Sequence, residues 1–361
     1  MSQSVSDVAA ILQSGVLAVY PSASLCFGRQ PEPHQLIVGS ASRQTWFDIA
    51  SLTKALATTL LTMKLCDEGR LRLDEEVFPG VQVAHLLSHS SGLPACFPPL
   101  WADQAGLLVA PSLRTRDFVL SQVLHTPREP AGLRSLYSDL GFIVLGQLVE
   151  QRGAGRLDEQ LSAWLEPLGL AIGFRPLDVA PSVSANLCAP TRRESPLREP
   201  LQGIVHDDTA RAMLGVAGHA GLFAQTDSVY RLGQALLDCY HDVSSLPRAV
   251  LGLRTETVRR FFQSPALPGL RSTWGLGFDH PDPVQPGASP SSAGSLWSRR
   301  GVGHLGFTGC SIWIDPDSRL VAVLLSNRVD VETPAQAEQT KAALRVLRPT
   351  LHDAIVTLMT G

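Results

Sequence analysis

Residues 301–326 read GVGHLGFTGCSIWIDPDSRLVAVLLS, three apolar runs of strand length in close succession: Gly301–Gly306, Cys310–Ile314 and Leu320–Ser326. Pro316, at the centre of Asp315–Asp317, makes a turn there and the last two runs a hairpin. Working outward, Trp274–Phe278 has strand character before this block, and a helix of about Pro334–Met359 follows it. The other end of the chain has a helical stretch at residues 4–14. Gly15–Tyr20 and Ser24–Gly28 then read as strands about a turn at Pro21–Ala23, with Gln35–Ser40 as a third. Leu52–Asp67 changes to helical spacing, with Leu52, Leu56, Leu60, Met63 and Leu65 apolar and Gly69 as the stop. Residues 81–262 are mainly helical, with Pro- and Gly-rich loops at Pro94–Pro99 and a polar stretch at Ala189–Gln202. Strands at both ends around a helical middle predict an α+β fold. The expectation is one antiparallel sheet built from both chain ends (1–80 and 263–361) and flanked by helices, with a mainly helical domain inserted at 81–262. Gly287–Gly294 is expected to be a flexible loop.

The 361 residues suit an enzyme with a substantial core. Thirty basic against thirty-three acidic residues, net −3, give no field for nucleic acid. Charged residues at 17% against 44% hydrophobic argue against disorder. No run approaches the roughly 18 apolar residues of a membrane span, and Gln13–Gly15 interrupts the first apolar stretch, so no secretory signal is expected. The six cysteines show no CxxC pair and read as reduced thiols of a cytoplasmic protein. Oligomeric state is not set by the sequence.

Ser51-Leu52-Thr53-Lys54 opens the periodic helix with a hydroxyl and an ammonium on one face, roughly 60° apart. A serine nucleophile needs a neighbour for its proton. A desolvated lysine can have its pKa lowered enough to take it, or can shape a second base. The plain alternative is a helix cap beside a solvated lysine. Tyr137-Ser138-Asp139 precedes the apolar helix Leu140–Val149, and His304-Leu305-Gly306-Phe307-Thr308-Gly309 lies between two C-terminal strands.

With these three elements in order, the chain resembles the serine β-lactamase and penicillin-binding-protein superfamily, most closely its class C β-lactamase and esterase branch. FDIASLTKALAT (47–58), HLLSHSSGLP (85–94), YSDLGF (137–142), GHAGLF (218–223) and GFTGCSIWIDP (306–316) carry the resemblance. It implies Ser51 as the acylated nucleophile, Lys54 as the base or base-shaping cation, and Tyr137 as the proton shuttle. It also implies an oxyanion hole from the amides of Ser51 and Phe307, with Gly306 letting the strand approach the substrate, and no metal or organic cofactor. Asp139 stands where the pattern has Asn and His304 where β-lactamases have Lys. A carboxylate only accepts hydrogen bonds, and a neutral or partly protonated imidazole holds a substrate carboxylate less firmly than lysine does. Ester or amide hydrolysis is therefore expected over penicillin hydrolysis, with a non-catalytic binding or sensor protein of the same fold as the alternative.

His85 and His89 lack the Glu of HExxH and read as packed or hydrogen-bonding residues; a metal hydrolase using them or His206 is a remote third reading. His206-Asp207-Asp208 and His219 read as loop anchors or substrate lining. With APTRRE (189–194) and SNRVD (326–330) they resemble a subgroup associated with peptidoglycan-recycling glycosidases, which implies a small-molecule or peptidoglycan-fragment substrate. Trp46, Trp101, Trp274 and Trp313 are expected in the core or at the cleft.

Overall fold

A computed structural model describes residues 4–16, 18–98, 101–192, 200–243, 251–263, 269–270, 272–282 and 291–361. The elements that position the site are strands β1 (Ser22–Gly28), β2 (His34–Gly39), β3 (Phe47–Asp48), β4 (Ile172–Phe174), β5 (Leu222–Ala224), β6 (Val302–Leu305), β7 (Ser311–Asp315) and β8 (Leu320–Ser326). With them stand helices α1 (Val5–Ser14), α2 (Leu60–Asp67, preceded by a π-helical segment Lys54–Thr59), α3 (Asp139–Arg152), α4 (Thr226–His241) and α5 (Pro334–Thr360).

The main sheet is antiparallel throughout, in the order β6-β7-β8-β1-β2. It joins both chain ends, since Ala23 is opposite Ser326 and Gly28 opposite Val321. The run Leu320–Leu325 is apolar at every position because both faces of β8 are covered. Val321, Val323 and Leu325 enter the large core with Ile49, Leu52 and Leu56. Leu320, Ala322 and Leu324 enter a second core with Val8 and Leu12 of α1 and Leu351 and Ile355 of α5. The α+β architecture is as expected. A small second sheet, β3-β5-β4, ties the segment before Ser51 to the middle of the chain. α4, which lies within 81–262, packs on β1, β7 and β8, so residue 262 does not mark a packing boundary.

Two expected strands are turns. After α1, the amides of Val19 and Tyr20 fold back to Gly15 O (2.8 and 3.1 Å), and Ser22, expected in a turn, already belongs to β1. In the Trp274–Phe278 stretch, Gly275 N–H donates to Phe278 O (2.8 Å) and Gly277 takes a positive φ of 83°, so only Trp274 and Asp279 form bridges. Two glycines in five residues favour the turn. Residues 287–290 of the Gly287–Gly294 loop, and residues 193–199 of the polar stretch, lie outside the described residues. Among the described residues, no helix is long and apolar enough to cross a membrane.

Candidate active site

β3 leads into Ala50, whose φ of +47° is a strained left-handed conformation for a residue with a Cβ. Asp48 holds this turn: its carboxylate accepts the Ala50 N–H at 2.8 Å and, from the opposite wall, the His206 N–H at 2.7 Å. Burial pushes the Asp48 carboxyl up to about 6. Ser51 follows, half-buried, and the helix behind it is entirely buried.

Lys54 is the hub. Its Nζ donates to Ser51 Oγ (2.9 Å) and to the His219 carbonyl (3.1 Å), and it pairs with Asp139 Oδ1 at 2.7 Å. Burial opposes the ammonium charge, but Asp139 and then Tyr137 outweigh it, so the lysine pKa is raised. The depressed lysine pKa considered from the sequence is thus corrected to a raised one. Asp139 reaches Lys54 because Ser138 caps α3, accepting the Gly141 N–H (3.1 Å) while donating to Pro94 O (2.6 Å), which leaves Asp139 as the first helical residue.

The Tyr137 ring lies 4.8 Å from Lys54 Nζ and lines the cleft beside Ser51. Burial raises its pKa against the pull of Lys54. His89 and Trp274 hold the ring, with centroids 4.5 and 5.2 Å away. His89 has a φ of +54°, and its Nδ1 accepts the Ser138 N–H at 3.0 Å. Burial, then Lys54 and His304, keep it neutral. It packs on Tyr137, while His85 Nδ1 accepts the Gln82 N–H (2.9 Å). Among the described residues, no group of His, Cys, Asp and Glu side chains is arranged to hold a metal ion.

His304, next to last in β6, stands at the opposite wall, 6.0 Å from Tyr137 between ring centroids. Its Nδ1 donates to Leu305 O at 2.8 Å, and burial together with Lys54 lowers its pKa to about 3. A neutral ring supplies no positive charge for a substrate carboxylate. Gly306 is also closely packed on the side of Ile49. A Cβ there would lie 2.6 Å from Ile49 O, so the glycine lets β6 press against the backbone before Ser51. Phe307, 44% exposed, stands at the cleft mouth with its ring 5.8 Å from that of His206.

The 216–221 loop closes the site from below. Thr58 Oγ1 donates to Gly218 O (2.7 Å), and His219 Nε2 meets Asp207 Oδ1 at 2.9 Å. A Cβ on Gly218 would lie 2.0 Å from Phe142 O, so only glycine lets the loop reach α3. Of the tryptophans, Trp274 lines the site, Trp101 stacks on Phe97 at its rim, Trp46 bridges Cys188 and Trp313 is core. Arg192 of the 189–194 stretch pairs with Asp330 at 3.0 Å. Sequence reasoning passed over Asp48 and did not foresee His89 and Trp274 as the tyrosine's packing partners.

Two lobes meet at Ser51, Tyr137 and Phe307. One, of about 380 Å³, is walled by Phe97, Trp101 and Ile143 with Asp207 and Asp208 at its rim. The other, of about 1020 Å³, runs past His304 to α5, where Lys341 and Arg345 line it.

The buried imidazoles have a consequence for stability. Burial is the main cause that lowers His304 and His352 to about 3 and His280 to about 4. Unfolded, each titrates near 6.5, so the unfolded chain binds more protons below that pH. Their contribution is complete above about pH 6.5 and is lost as pH falls. Denaturant unfolding at pH 7, 6 and 5 should show stability falling by about 2 kcal/mol per histidine at pH 5. A profile flat over that range would mean that these rings are not buried neutral.

A family model described as Beta-lactamase matches residues 5–347. An Escherichia coli K12 protein provisionally named D-alanyl-D-alanine carboxypeptidase is 32% identical over 327 residues, 80% of this chain and 70% of its own. A crystal structure titled as a β-lactamase from Mycobacterium bovis superposes with a TM-score of 0.61 at 22% identity, covering 98% of this chain and all of that one. Simvastatin synthase from Aspergillus terreus gives 0.70 at 18% identity, covering 99% and 98%. A sheet closed by both chain ends, Ser51 and Lys54 at its side, and a match along nearly the whole length lead to one assignment: the chain belongs to the Beta-lactamase family.

Proposed function

We propose that this protein is a serine hydrolase that forms an acyl-enzyme at Ser51 on an amide or ester, with compounds bearing a D-amino acid, such as muropeptides, as the substrate class. The supporting observation is the position of Lys54, which touches Ser51 Oγ and Asp139 and lies 4.8 Å from the centre of the Tyr137 ring. Ser51 Oγ attacks the carbonyl carbon, and its proton passes to the Tyr137 oxygen while the phenol gives its own proton to the leaving group. Lys54 stays charged and lowers the cost of negative charge on either oxygen. The Ser51 and Phe307 amides receive the carbonyl oxygen's developing charge. Water then repeats the sequence on the ester, with Tyr137 taking the water's proton and returning one to Ser51.

Substrate choice follows from the lobes. Lys341 and Arg345 supply the positive charge that neutral His304 lacks, which suits an anionic leaving group such as a C-terminal D-amino acid. The name of the Escherichia coli relative points the same way. Asp139 and His304, the departures that suggested a non-catalytic binder, both have places in this scheme: one fixes the charge of Lys54, the other packs near Tyr137 as a neutral ring.

A fluorophosphonate or labelled penicillin, followed by mass spectrometry, should place an adduct on Ser51. A panel of short-chain esters, D-amino-acid amides and muropeptides then ranks substrates. No adduct anywhere, or activity abolished by a chelator alone, overturns the proposal. Tyr137→Phe keeps the packing against His89 and Trp274 but removes the proton, so turnover should fall roughly 10²-fold. Parental turnover in that variant would make Tyr137 structural only.

A further inference from the structure

The Phe307 amide, the second donor in the scheme above, sits in a turn held from outside the cleft. Gly306 N–H donates to Cys310 O (2.8 Å) and Gly309 N–H to Gly306 O (3.0 Å). In a trans peptide the C=O and N–H point in opposite directions, so capturing the Gly306 carbonyl inside the turn directs the Phe307 N–H out of it. The next peptide plane is held by a side chain. Arg328, just beyond β8 and 3% exposed, donates to Phe307 O from Nη2 (2.6 Å) and Nε (3.2 Å). Its guanidinium also lies 5.0 Å from the centroid of the Phe307 ring. From Nη1 it donates to Ala337 O (3.2 Å) and Thr340 Oγ1 (3.4 Å) of α5, and its own amide donates to Thr308 O (2.8 Å).

We propose that Arg328 is a positioning residue for oxyanion binding: by gripping the Phe307 carbonyl and ring from behind, it fixes the backbone whose amide receives the negative charge. This rests on the reading of Ser51 and Phe307 given above. Phe307 is half-exposed at the cleft mouth, so the turn has to be held from the side of α5. A planar guanidinium can place two N–H groups on one carbonyl and still reach a helix, which an ammonium cannot do. Misplacing a donor by a fraction of an ångström weakens charge stabilisation in the transition state more than ground-state binding.

The test compares Arg328→Lys, Arg328→Met and Thr340→Val on the best substrate of the panel. The expected losses in kcat are about 10-fold, about 10²-fold and a few-fold, with KM within about threefold of the parent. Affinity for a boronic acid that adds to Ser51, and so fills the oxyanion site, should fall in proportion to kcat. A merely structural anchor would lower Tm and leave both kcat and boronate affinity at parental values. That result in folded Arg328→Met overturns the proposal; should Met not fold, the same result in both Arg328→Lys and Thr340→Val does so. Ser51→Ala, run alongside, keeps the two ideas apart. Parental turnover in Ser51→Ala defeats the underlying reading, whereas its loss there with parental kcat in the Arg328 variants defeats only the role of Arg328.

Discussion

Ser51→Ala should reduce turnover of every accepted ester or amide by about 10⁴-fold or more and abolish the covalent adduct, while the protein stays folded. The size follows from losing the bond-forming atom itself. What remains is binding and the oxyanion donors, which alone give only a small part of such an acceleration. The fold should persist because the variant removes a hydroxyl from a half-buried position, and Lys54 keeps Asp139 and the His219 carbonyl as partners. Intact-mass spectrometry after fluorophosphonate treatment and steady-state kinetics provide the readouts. Turnover within tenfold of the parent would remove Ser51 from the mechanism.

Lys54→Met should cost roughly 10³-fold in turnover, a large effect with a different cause. Methionine fills similar apolar volume beside Phe142 but leaves Ser51 Oγ and Tyr137 without the neighbouring positive charge, so moving the serine proton becomes harder. It also strands Asp139, whose side chain is 26% exposed, and stability should drop by about 2 kcal/mol, below the range for a wholly buried pair. The double variant Lys54→Met with Asp139→Asn separates the two effects. It should recover most of the stability and none of the activity. If the double variant regains turnover, the cation is dispensable and Asp139 was the group that mattered.

The residues that form the hub were legible because they are local in sequence or sit at a helix start. Ser51 and Lys54 share a helix face, and Ser138 announces the cap that delivers Asp139. Their electrostatics were not legible. Burial alone would lower the lysine, and only the arrival of α3 across the site, 85 positions later, reverses the direction. Likewise His304 was readable as a substitute for lysine, but its neutrality comes from enclosure and from Lys54, neither of which its neighbours in sequence betray. The strands of the main sheet followed from apolar runs; the two- and three-residue strands of β3-β5-β4 are too short to leave a period. Trp274–Phe278 misled because aromatic and apolar residues outweighed two glycines in the reading, while the backbone followed the glycines. Arg328 stood in a quoted motif, SNRVD, without any sign that its target was the carbonyl of a residue 21 positions earlier.

The pairing of β1 with β8 also sets a timetable. A ribosome adding roughly 5 to 20 residues per second makes Ser326 some tens of seconds after Ala23, so through most of synthesis β1 has β2 beside it and a bare edge on the other side. That edge is unpaired and carries Ala23, Leu25 and Phe27 on one face, the kind of surface that recruits foreign strands. The nascent chain must therefore keep its first hairpin shielded, by its own early helix or by a chaperone, until its last strands emerge. Loss of that shield would appear as aggregation during expression, with no change in the stability of molecules that completed the sheet.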